Sequence, residues 1–244
     1  AFAWPEAAAA AEAFLARFDG HPKAPAMRYA LGVAKARAGD QAGAREVLER
    51  LAADGGHAEP DRVLYELAWA CRRAGDEDAA LATFRALASQ TDDAELGGEA
   101  RLFVGTALLE GADPDLGEAA RWLEPVSGSH RPQALYRLGF AELQAASDDP
   151  ALLAKARDHF GTLAALPAER TGELGGDALY LGAECCRRLG DAEGAVQRAA
   201  RLLQDEPEHP RAQRARLVLG ECALEAARPD LAVAPLERFL RDHD

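Results

Sequence analysis

Apolar residues recur along the chain at the i, i+4 interval of amphipathic helices, and the pattern itself repeats. Segments beginning at Tyr29 (YALGVAKARAGD) and Tyr65 (YELAWACRRAGD) align without gaps and start about 36 residues apart, and a third similar segment begins at Tyr180 (YLGAECCRRLGD). A period of this length is typical of a helical hairpin that is stacked many times. No segment alternates with a period of two for long enough to demand a strand. The pattern therefore predicts an all-α solenoid of antiparallel helix pairs.

Small residues align the hairpins with one another. One position of the first helix holds Gly32, Ala68, Gly105, Gly139, Ala183 and Gly220, and one position of the second helix holds Ala44, Ala80, Ala119, Ala156, Ala195 and Ala232. Two helices approach closely only where no long side chain separates them, so these positions are predicted to face the partner helix. Four residues after the second-helix alanine stand Leu48, Phe84, Leu123, Phe160 and Leu236, with Ala199 as the exception, and this spacing indicates a core-facing stripe.

The alignment divides the chain into a lone helix and six repeats within one predicted solenoid over residues 1–244, with about thirteen helices in all. The lone helix is predicted at about 5–20, and the repeats at about 25–58, 61–93, 98–130, 132–168, 173–208 and 211–244. Neither end carries the polar outer face of a capping unit, so we expect both termini to lie within a longer array.

Turn residues mark the ends of the helices. Extra residues at Asp113-Pro114 and at Asp148-Asp149-Pro150 predict longer hairpin loops in the third and fourth repeats. Elsewhere a glycine suited to the left-handed conformation is followed by an aspartate suited to capping the next helix, at Gly39-Asp40, Gly75-Asp76 and Gly190-Asp191.

Charge and cysteine content narrow the classes of partner and compartment. The formal net charge is −13, which disfavours nucleic acid and anionic membrane surfaces as partners. No apolar run approaches the roughly 18 residues that a membrane span requires, so we expect no direct membrane insertion. Cys71, Cys185, Cys186 and Cys222 fall mid-helix and are predicted to be core thiols. Unpaired thiols slightly favour the cytoplasm, with the periplasm or cell envelope as the alternative.

Candidate chemistry is sparse. The six histidines are scattered without metal-ligand spacing, and the chain has no Walker loop, dinucleotide fingerprint or nucleophile elbow. We therefore expect no enzymatic activity, no catalytic residues, no bound metal and no cofactor.

The repeat pattern resembles the tetratricopeptide repeat. The residues that carry the resemblance are Leu31-Gly32, Gly39, Ala44 and Leu48; Leu138-Gly139, Ala156, Phe160 and Pro167; and Leu219-Gly220, Ala232 and Leu236. Phe-rich second helices that end before His-Pro are also similar to a bacterial cell-envelope branch of the family. The resemblance implies a right-handed superhelix whose concave groove, lined by the first helices, binds a peptide or protein without catalysis. The Lys and Asn clamp of the chaperone-binding members is not expected, because the chain has no asparagine.

By the same resemblance, the groove would be lined by aromatic and arginine side chains. The candidate residues are Tyr29, Arg37, Tyr65, Trp69, Arg72, Arg73, Tyr136, Phe140, Tyr180, Arg187 and Arg188. Aromatic residues and arginine dominate protein-binding hot spots, and arginine grips carboxylates with two hydrogen bonds, so an acidic or aromatic segment is the expected ligand. We expect two pairs of adjacent arginines, Arg72-Arg73 and Arg187-Arg188, to form two separate positively charged patches in the groove, which we call the basic rungs. The alternatives are that the tyrosines pack between adjacent first helices, and that the arginines form surface pairs with nearby glutamates.

Three functions fit these observations. The first is a non-catalytic protein- or peptide-binding scaffold that uses the concave groove. The second is a structural solenoid segment of a larger bacterial envelope or scaffold protein, which associates with copies of itself as a homo-oligomer. The third is a regulatory arm attached to a catalytic domain.

Overall fold

The computed structural model describes residues 3–241, and all regular structure in that range is helical. Residues 242–244, the end of the sixth predicted repeat, lie outside the described residues, as do residues 1 and 2. The chain divides into two compact units, Ala1–Ala107 and Leu108–Asp244, and the division falls within the sixth helix. The boundaries of the six repeats stay a prediction.

The first unit is built from successive antiparallel helices. They are α1 (Trp4–Phe18), α2 (Ala24–Ala38), α3 (Gln41–Asp54), α4 (Pro60–Arg73), α5 (Glu77–Gln90) and the larger part of α6 (Ala94–Glu110). Each helix from α1 to α4 packs on the next, and α2 also contacts α4, so neighbouring first helices touch. The core between them contains Leu48, Leu51, Val63, Cys71 and Ala80, all with at most 2% of their surface exposed.

The second unit, which begins within the last turn of α6, is also built from successive helices. Its helices are α7 (Leu116–Leu123), α8 (Arg131–Ala145), α9 (Pro150–Ala164), the single turn α10 (Ala168–Thr171), α11 (Leu174–Arg188), α12 (Ala192–Asp205), α13 (Ala212–Glu225) and α14 (Pro229–Arg241). A short 3₁₀ helix, Gly128–His130, precedes α8. Within residues 3–241 the chain thus has thirteen long α-helices and the short α10. The predicted all-α architecture of consecutive antiparallel pairs is confirmed.

Small residues hold the two helices of each pair close together, as the sequence predicts. All twelve aligned glycines and alanines are buried. A Cβ atom placed on Gly32 would stand 2.6 Å from Cγ of Leu48, and one on Gly139 would stand 3.1 Å from the ring of Phe160. The aligned residues of the next layer, Leu48 and Phe160, are themselves fully buried. Each glycine therefore makes room for a large side chain of its partner helix.

The predicted turn chemistry is also confirmed. Gly39, Gly75 and Gly190 adopt left-handed φ angles of 95°, 82° and 74°. The aspartates after them accept a hydrogen bond from the backbone of the next helix: Asp40 from the N–H of Gly43, Asp76 from that of Ala79, and Asp191 from that of Gly194. The hairpin loops are longest at 111–115 and 146–149, where the inserted residues stand.

The cysteines lie in the core and are free thiols. All four are at most 1% exposed, and none forms a disulfide. Burial raises the pKa of the Cys185 thiol to about 12 and that of Cys222 to about 11, so both remain protonated near neutral pH. They pack as small apolar side chains, which is the role predicted from their mid-helix positions.

Candidate functional site

The candidate residues all lie on the first helices of the helix pairs, but in two separate sets. The first unit carries six of them, on α2 and α4: Tyr29, Arg37, Tyr65, Trp69, Arg72 and Arg73. The second unit carries the other five, on α8 and α11: Tyr136, Phe140, Tyr180, Arg187 and Arg188. Each set has its own geometry.

In the first unit, the end of α4 forms a compact aromatic and arginine cluster, which we call the Trp69 cluster: Tyr65, Trp69, Arg72, Arg73 and Phe103. The Trp69 ring meets the rings of Tyr65 and Phe103 edge to face, each at a centroid distance of 6.3 Å. The Arg72 guanidinium carbon lies 5.2 Å from the Trp69 centroid and 5.0 Å from that of Phe103, and the Arg73 carbon lies 5.7 Å from Trp69. These distances are those of cation–π contacts.

The core fixes the position of the Trp69 ring. Trp69 also contacts the fully buried Phe84 of α5 edge to face at 5.5 Å, and Phe84 in turn lies 4.2 Å from the ring of Phe103. The half-buried Trp69 and Phe103 therefore rest on a close-packed aromatic layer. The exposed Arg72 and Arg73 are held against a surface that cannot easily rearrange.

Neither arginine of the Trp69 cluster is neutralised within residues 3–241. Both guanidinium groups contact aromatic rings, and no carboxylate of the described chain pairs with either. A guanidinium that lies over a ring still presents the N–H groups at its edges, because those donors lie in the guanidinium plane. The cluster thus offers positive charge, hydrogen-bond donors and aromatic surface at one place.

The four tyrosines are partly buried, and one of them, Tyr65, connects its first helix to the next one. The Tyr65 hydroxyl donates to the Glu99 carboxylate of α6, with both oxygens at 3.1 Å. Burial, reinforced by the negative charge of Glu99, raises the pKa of Tyr65 above its ordinary value. Burial likewise raises the pKa of Tyr29, Tyr136 and Tyr180. All four tyrosines are half-buried, so part of each ring remains accessible to a partner.

Tyr29 and Arg37 stand apart from the Trp69 cluster on α2. The Tyr29 ring contacts the His57 ring at a centroid distance of 4.8 Å. Burial is the main reason that the pKa of the Tyr29 phenol is raised. The negative charge of Glu66 raises this pKa further, and the positive charge of Arg62 lowers it. Arg37 is exposed near the end of α2, where a cation is favoured by the helix dipole.

In the second unit, Tyr136 and Phe140 lie one helical turn apart on α8 and stack. Their rings are nearly parallel, at 8°, with centroids 5.9 Å apart, and Phe140 is 37% exposed. Tyr180 of α11 lies under the guanidinium of Arg211, whose carbon is 5.2 Å from the ring centroid. Arg211 is itself bonded to Asp177 through Nε. The ring of Tyr180 is thus already covered by one of the chain's own charged pairs.

The two predicted basic rungs differ in whether a neighbouring carboxylate neutralises their arginines. Arg187 forms a close bidentate ion pair with Glu184 of the same helix, so its charge is neutralised locally. Arg188, half-buried on the next position, lies near the thiol of Cys185 and lowers its pKa slightly against the dominant effect of burial. Of the two rungs, the Arg72-Arg73 rung is the one that combines two unpaired guanidinium groups with aromatic rings.

Two important contacts were missed by sequence reasoning. Phe103 follows Leu102, which stands at the tyrosine position of the third repeat, and the alignment gave the phenylalanine no role. Arg211 lies outside the regular helices, in the turn before α13, yet it reaches both Asp177 and Tyr180. For Phe103 the only signal in the sequence was its position next to Leu102, where four of the other repeats have a tyrosine. For Arg211 the sequence contained no signal.

Two further observations concern metal-ligating side chains and apolar helices in the part of the chain that the structure describes. No three His, Cys, Asp or Glu side chains between residues 3 and 241 come together in a way that could hold a metal ion. Among the described helices, none is both long enough and apolar enough to cross a membrane.

Comparison with known proteins decides the family. The Tetratricopeptide repeat model matches residues 4–58, 42–95 and 187–244, which together make up more than half of the chain. The chain belongs to the tetratricopeptide-repeat family. The resemblance inferred from Gly32, Ala44 and their equivalents is therefore confirmed, whereas the bacterial cell-envelope branch stays a prediction. Tetratricopeptide repeats form helical scaffolds that generally serve protein interaction and are generally non-catalytic.

Similar solved structures include other helical proteins of low sequence identity. The Cut9–Hcn1 hetero-tetramer of APC/C matches with a TM-score of 0.45 and 16% identity, over 98% of this chain and 43% of that one. The apo form of RapI matches with a TM-score of 0.47 and 14% identity, over 99% of this chain and 75% of that one. BtubC (BKLC) from P. vanneervenii matches with a TM-score of 0.37 and 12% identity, over 99% of this chain and 91% of that one. This tetratricopeptide-repeat chain thus spans less than half the length of the first of them. No curated protein matches it by sequence.

Proposed function

We propose that this tetratricopeptide-repeat chain is a non-catalytic scaffold that binds an acidic, aromatic-containing segment of a partner protein on its first helices. The Trp69 cluster is the main contact in this proposal. The observation that carries it is the pair of unpaired guanidinium groups, Arg72 and Arg73, held on the rings of Trp69 and Phe103.

The chemistry of the Trp69 cluster favours a carboxylate next to an apolar or aromatic side chain. A partner carboxylate would accept hydrogen bonds from the guanidinium edges, and charge-assisted bonds of this kind are roughly twice as strong as neutral ones. The exposed faces of Trp69 and Tyr65 would cover the adjacent side chain. Because Phe84 already fixes the rings, binding would order few additional side chains, which lowers the entropic cost of association.

The remaining candidate residues would make further contacts in this proposal, those of each unit separately. Tyr29 and Arg37 are the further contacts in the first unit. In the second unit the further contacts are Tyr136, Phe140, Tyr180, Arg187 and Arg188. Arg187 would contribute least, because Glu184 already neutralises it.

Selection from a random peptide library displayed on phage tests this function while the partner is still unidentified. Peptides selected on the immobilised protein are expected to carry Asp or Glu near an aromatic residue. The double variant Arg72→Glu/Arg73→Glu should bind the selected peptides at least about tenfold more weakly, the loss typical of hot-spot residues. The control is Arg201→Glu, an exposed arginine on α12 that pairs with Asp205. Selected peptides that lack acidic residues, or that bind the double variant as tightly as the wild type, would contradict the proposal.

Self-association is a second candidate function, favoured by exposed apolar side chains on the last helix pair. Leu224 of α13 and Val233 and Leu240 of α14 are 55%, 56% and 62% exposed. A second copy of the chain would cover them. Multi-angle light scattering over a concentration series should then show a dimer whose population falls in the variant Val233→Ser/Leu240→Ser. A strict monomer at high concentration would eliminate this candidate.

A further inference from the structure

The long loop of the third repeat creates a pocket that shares one residue, Phe140, with the predicted groove and whose other walls no predicted interaction uses. Residues 111–115 join α6 to the short helix α7, and the backbone N–H of Asp115 donates to the carbonyl of Leu108, so the loop folds back on the end of α6. Between this loop and α8 lies a cavity of about 470 Å³, which we call the Phe140 pocket. Its apolar walls are Leu109, Pro114, Leu116, Phe140, Ala141 and Ala145.

The size and walls of the Phe140 pocket suit a large apolar side chain. Ligand sites are typically concave spaces of about 300–1,000 Å³ with mostly apolar walls and a few polar groups. The exposed ring of Phe140 is held by its stacking on Tyr136, so one wall is a rigid aromatic face. Gln144 supplies an exposed amide at the edge, able to bond a peptide backbone.

Charged residues lie in the pocket wall and next to it in the loop. Glu110 and Arg137 line the pocket and neutralise each other at 2.7 Å. Asp113 and Asp115 flank Pro114 in the chain, and both are exposed. Asp115 caps α7 by accepting from the N–H of Glu118, and Asp113 has no cationic partner among the described residues. The loop that supplies Pro114 to the pocket therefore carries negative charge next to it, which complements a cation.

We propose that the Phe140 pocket binds a partner-protein segment in which a large apolar side chain, such as tryptophan, stands next to lysine or arginine. The apolar side chain enters between Phe140 and the loop, and the adjacent cation faces Asp113 and Asp115. This site lies in the second unit, has the opposite charge preference to the Trp69 cluster and shares only Phe140 with the function proposed above, so it stands even if the Trp69 cluster binds nothing.

A titration monitored by NMR tests the site even if binding is weak. The probe is the capped peptide Trp-Lys-Lys, added at millimolar concentration to the ¹⁵N-labelled protein. Amide shifts are expected to concentrate at residues 109–116 and 137–145. The peptides Ala-Lys-Lys and Trp-Glu-Glu serve as controls for the apolar and the cationic part, and each should bind at least about tenfold more weakly, as expected for loss of one buried aromatic side chain or reversal of two charges.

Variants of the protein separate pocket binding from general attraction to a negative chain. Ala145→Phe places an aromatic ring in the pocket from an exposed helix position, and it should reduce the affinity that the shifts at residues 109–116 report at least about tenfold. The matched control Ala200→Phe, on an exposed position of α12, should bind as the wild type does. The proposal is overturned if no shifts appear at the pocket, if Ala145→Phe binds normally, or if either control peptide binds as tightly as Trp-Lys-Lys.

Discussion

At the scale of single residues, the contact between paired helices depends on the absence of a side chain. Gly32 and Gly139 face Leu48 and Phe160, and in each case the larger residue occupies the space where a Cβ atom would stand. Glycine in a helix costs roughly 0.5–1 kcal/mol relative to alanine, so its presence here is a local cost that tertiary packing offsets. Replacing a glycine by alanine should therefore lower the free energy of unfolding where the new methyl group has no space, and raise it where the space is open.

We predict that Gly32→Ala destabilises the protein and that Gly161→Ala stabilises it. The new methyl group of Gly32→Ala would stand 2.6 Å from Leu48 Cγ, and overpacking of this kind costs about 1–3 kcal/mol, more than the gain in helix propensity. At Gly161 the nearest atom, Arg198 Nη2, is 3.8 Å away, so only the propensity gain of about 0.5–1 kcal/mol remains. The free energy of unfolding of both variants is measured by urea denaturation, with far-UV circular dichroism as the signal. An increase in stability for Gly32→Ala would show that Leu48 can move aside.

The same local logic explains what the sequence could and could not reveal about the candidate site. Tyr29, Tyr65 and Trp69 were identified because a repeat places equivalent residues at equivalent positions. The pairing of Arg187 with Glu184 is a contact within one helical turn, and the sequence predicts such pairs as the alternative to a free arginine. Phe103 and Arg211 escaped detection because their roles arise from contacts between neighbouring hairpins. No periodicity within one hairpin encodes such a contact.

At the scale of helices and loops, aspartate caps define where each second helix begins. Asp40 and Asp76 accept backbone N–H bonds from Gly43 and Ala79, and these bonds are the main reason that the pKa of each carboxyl lies below its ordinary value. The caps at Asp40, Asp76 and Asp191 could be predicted because a cap and its glycine are adjacent in sequence. The lengths of the inserted loops could be predicted too, but the Phe140 pocket could not, since its other wall comes from α8.

We predict that these caps make the protein less stable in acid. A carboxyl whose pKa is lower in the folded state contributes stability above its unfolded pKa of about 4, and this contribution is lost as the pH falls through the lowered value. The wild type should therefore lose stability between about pH 5 and about pH 2. The variant Asp40→Asn/Asp76→Asn should lose less over that window, because asparagine still caps the helices but does not titrate.

The diagnostic quantity in this experiment is the slope of stability with pH, measured by urea denaturation at each pH. At neutral pH the double variant is expected to be less stable, since a neutral asparagine cannot replace the ion pair that Asp76 makes with Arg45 at 2.7 Å. The control Asp92→Asn changes an exposed aspartate in the turn before α6 and should leave the slope unchanged. Equal slopes for the double variant and the wild type would rule out the two caps as the origin of the acid sensitivity.

At the scale of the whole molecule, the net charge of −13 acts on every ligand before any contact forms. The Debye length is about 30 Å at 0.01 M salt and about 8 Å at 0.15 M, so the repulsion of an acidic peptide extends far from the surface only at low salt. The bonds that Arg72 and Arg73 would make to a carboxylate act over a few ångströms and are screened much less. Long-range and short-range electrostatics therefore oppose each other for an acidic ligand and reinforce each other for a basic one.

This opposition predicts salt effects of opposite sign for the two proposed ligands. Raising the salt concentration from about 0.01 M to about 0.15 M should increase the association rate constant of an acidic peptide selected on the Trp69 cluster, because the repulsion is screened. The same change should decrease the association rate constant of Trp-Lys-Lys, because its steering by the negative chain is lost. Stopped-flow fluorescence with dye-labelled peptides measures both rates, and an uncharged peptide of equal length gives the baseline. If the association of both peptides slowed with added salt, the local charge of the Arg72-Arg73 rung would have to outweigh the net charge of the chain even at long range.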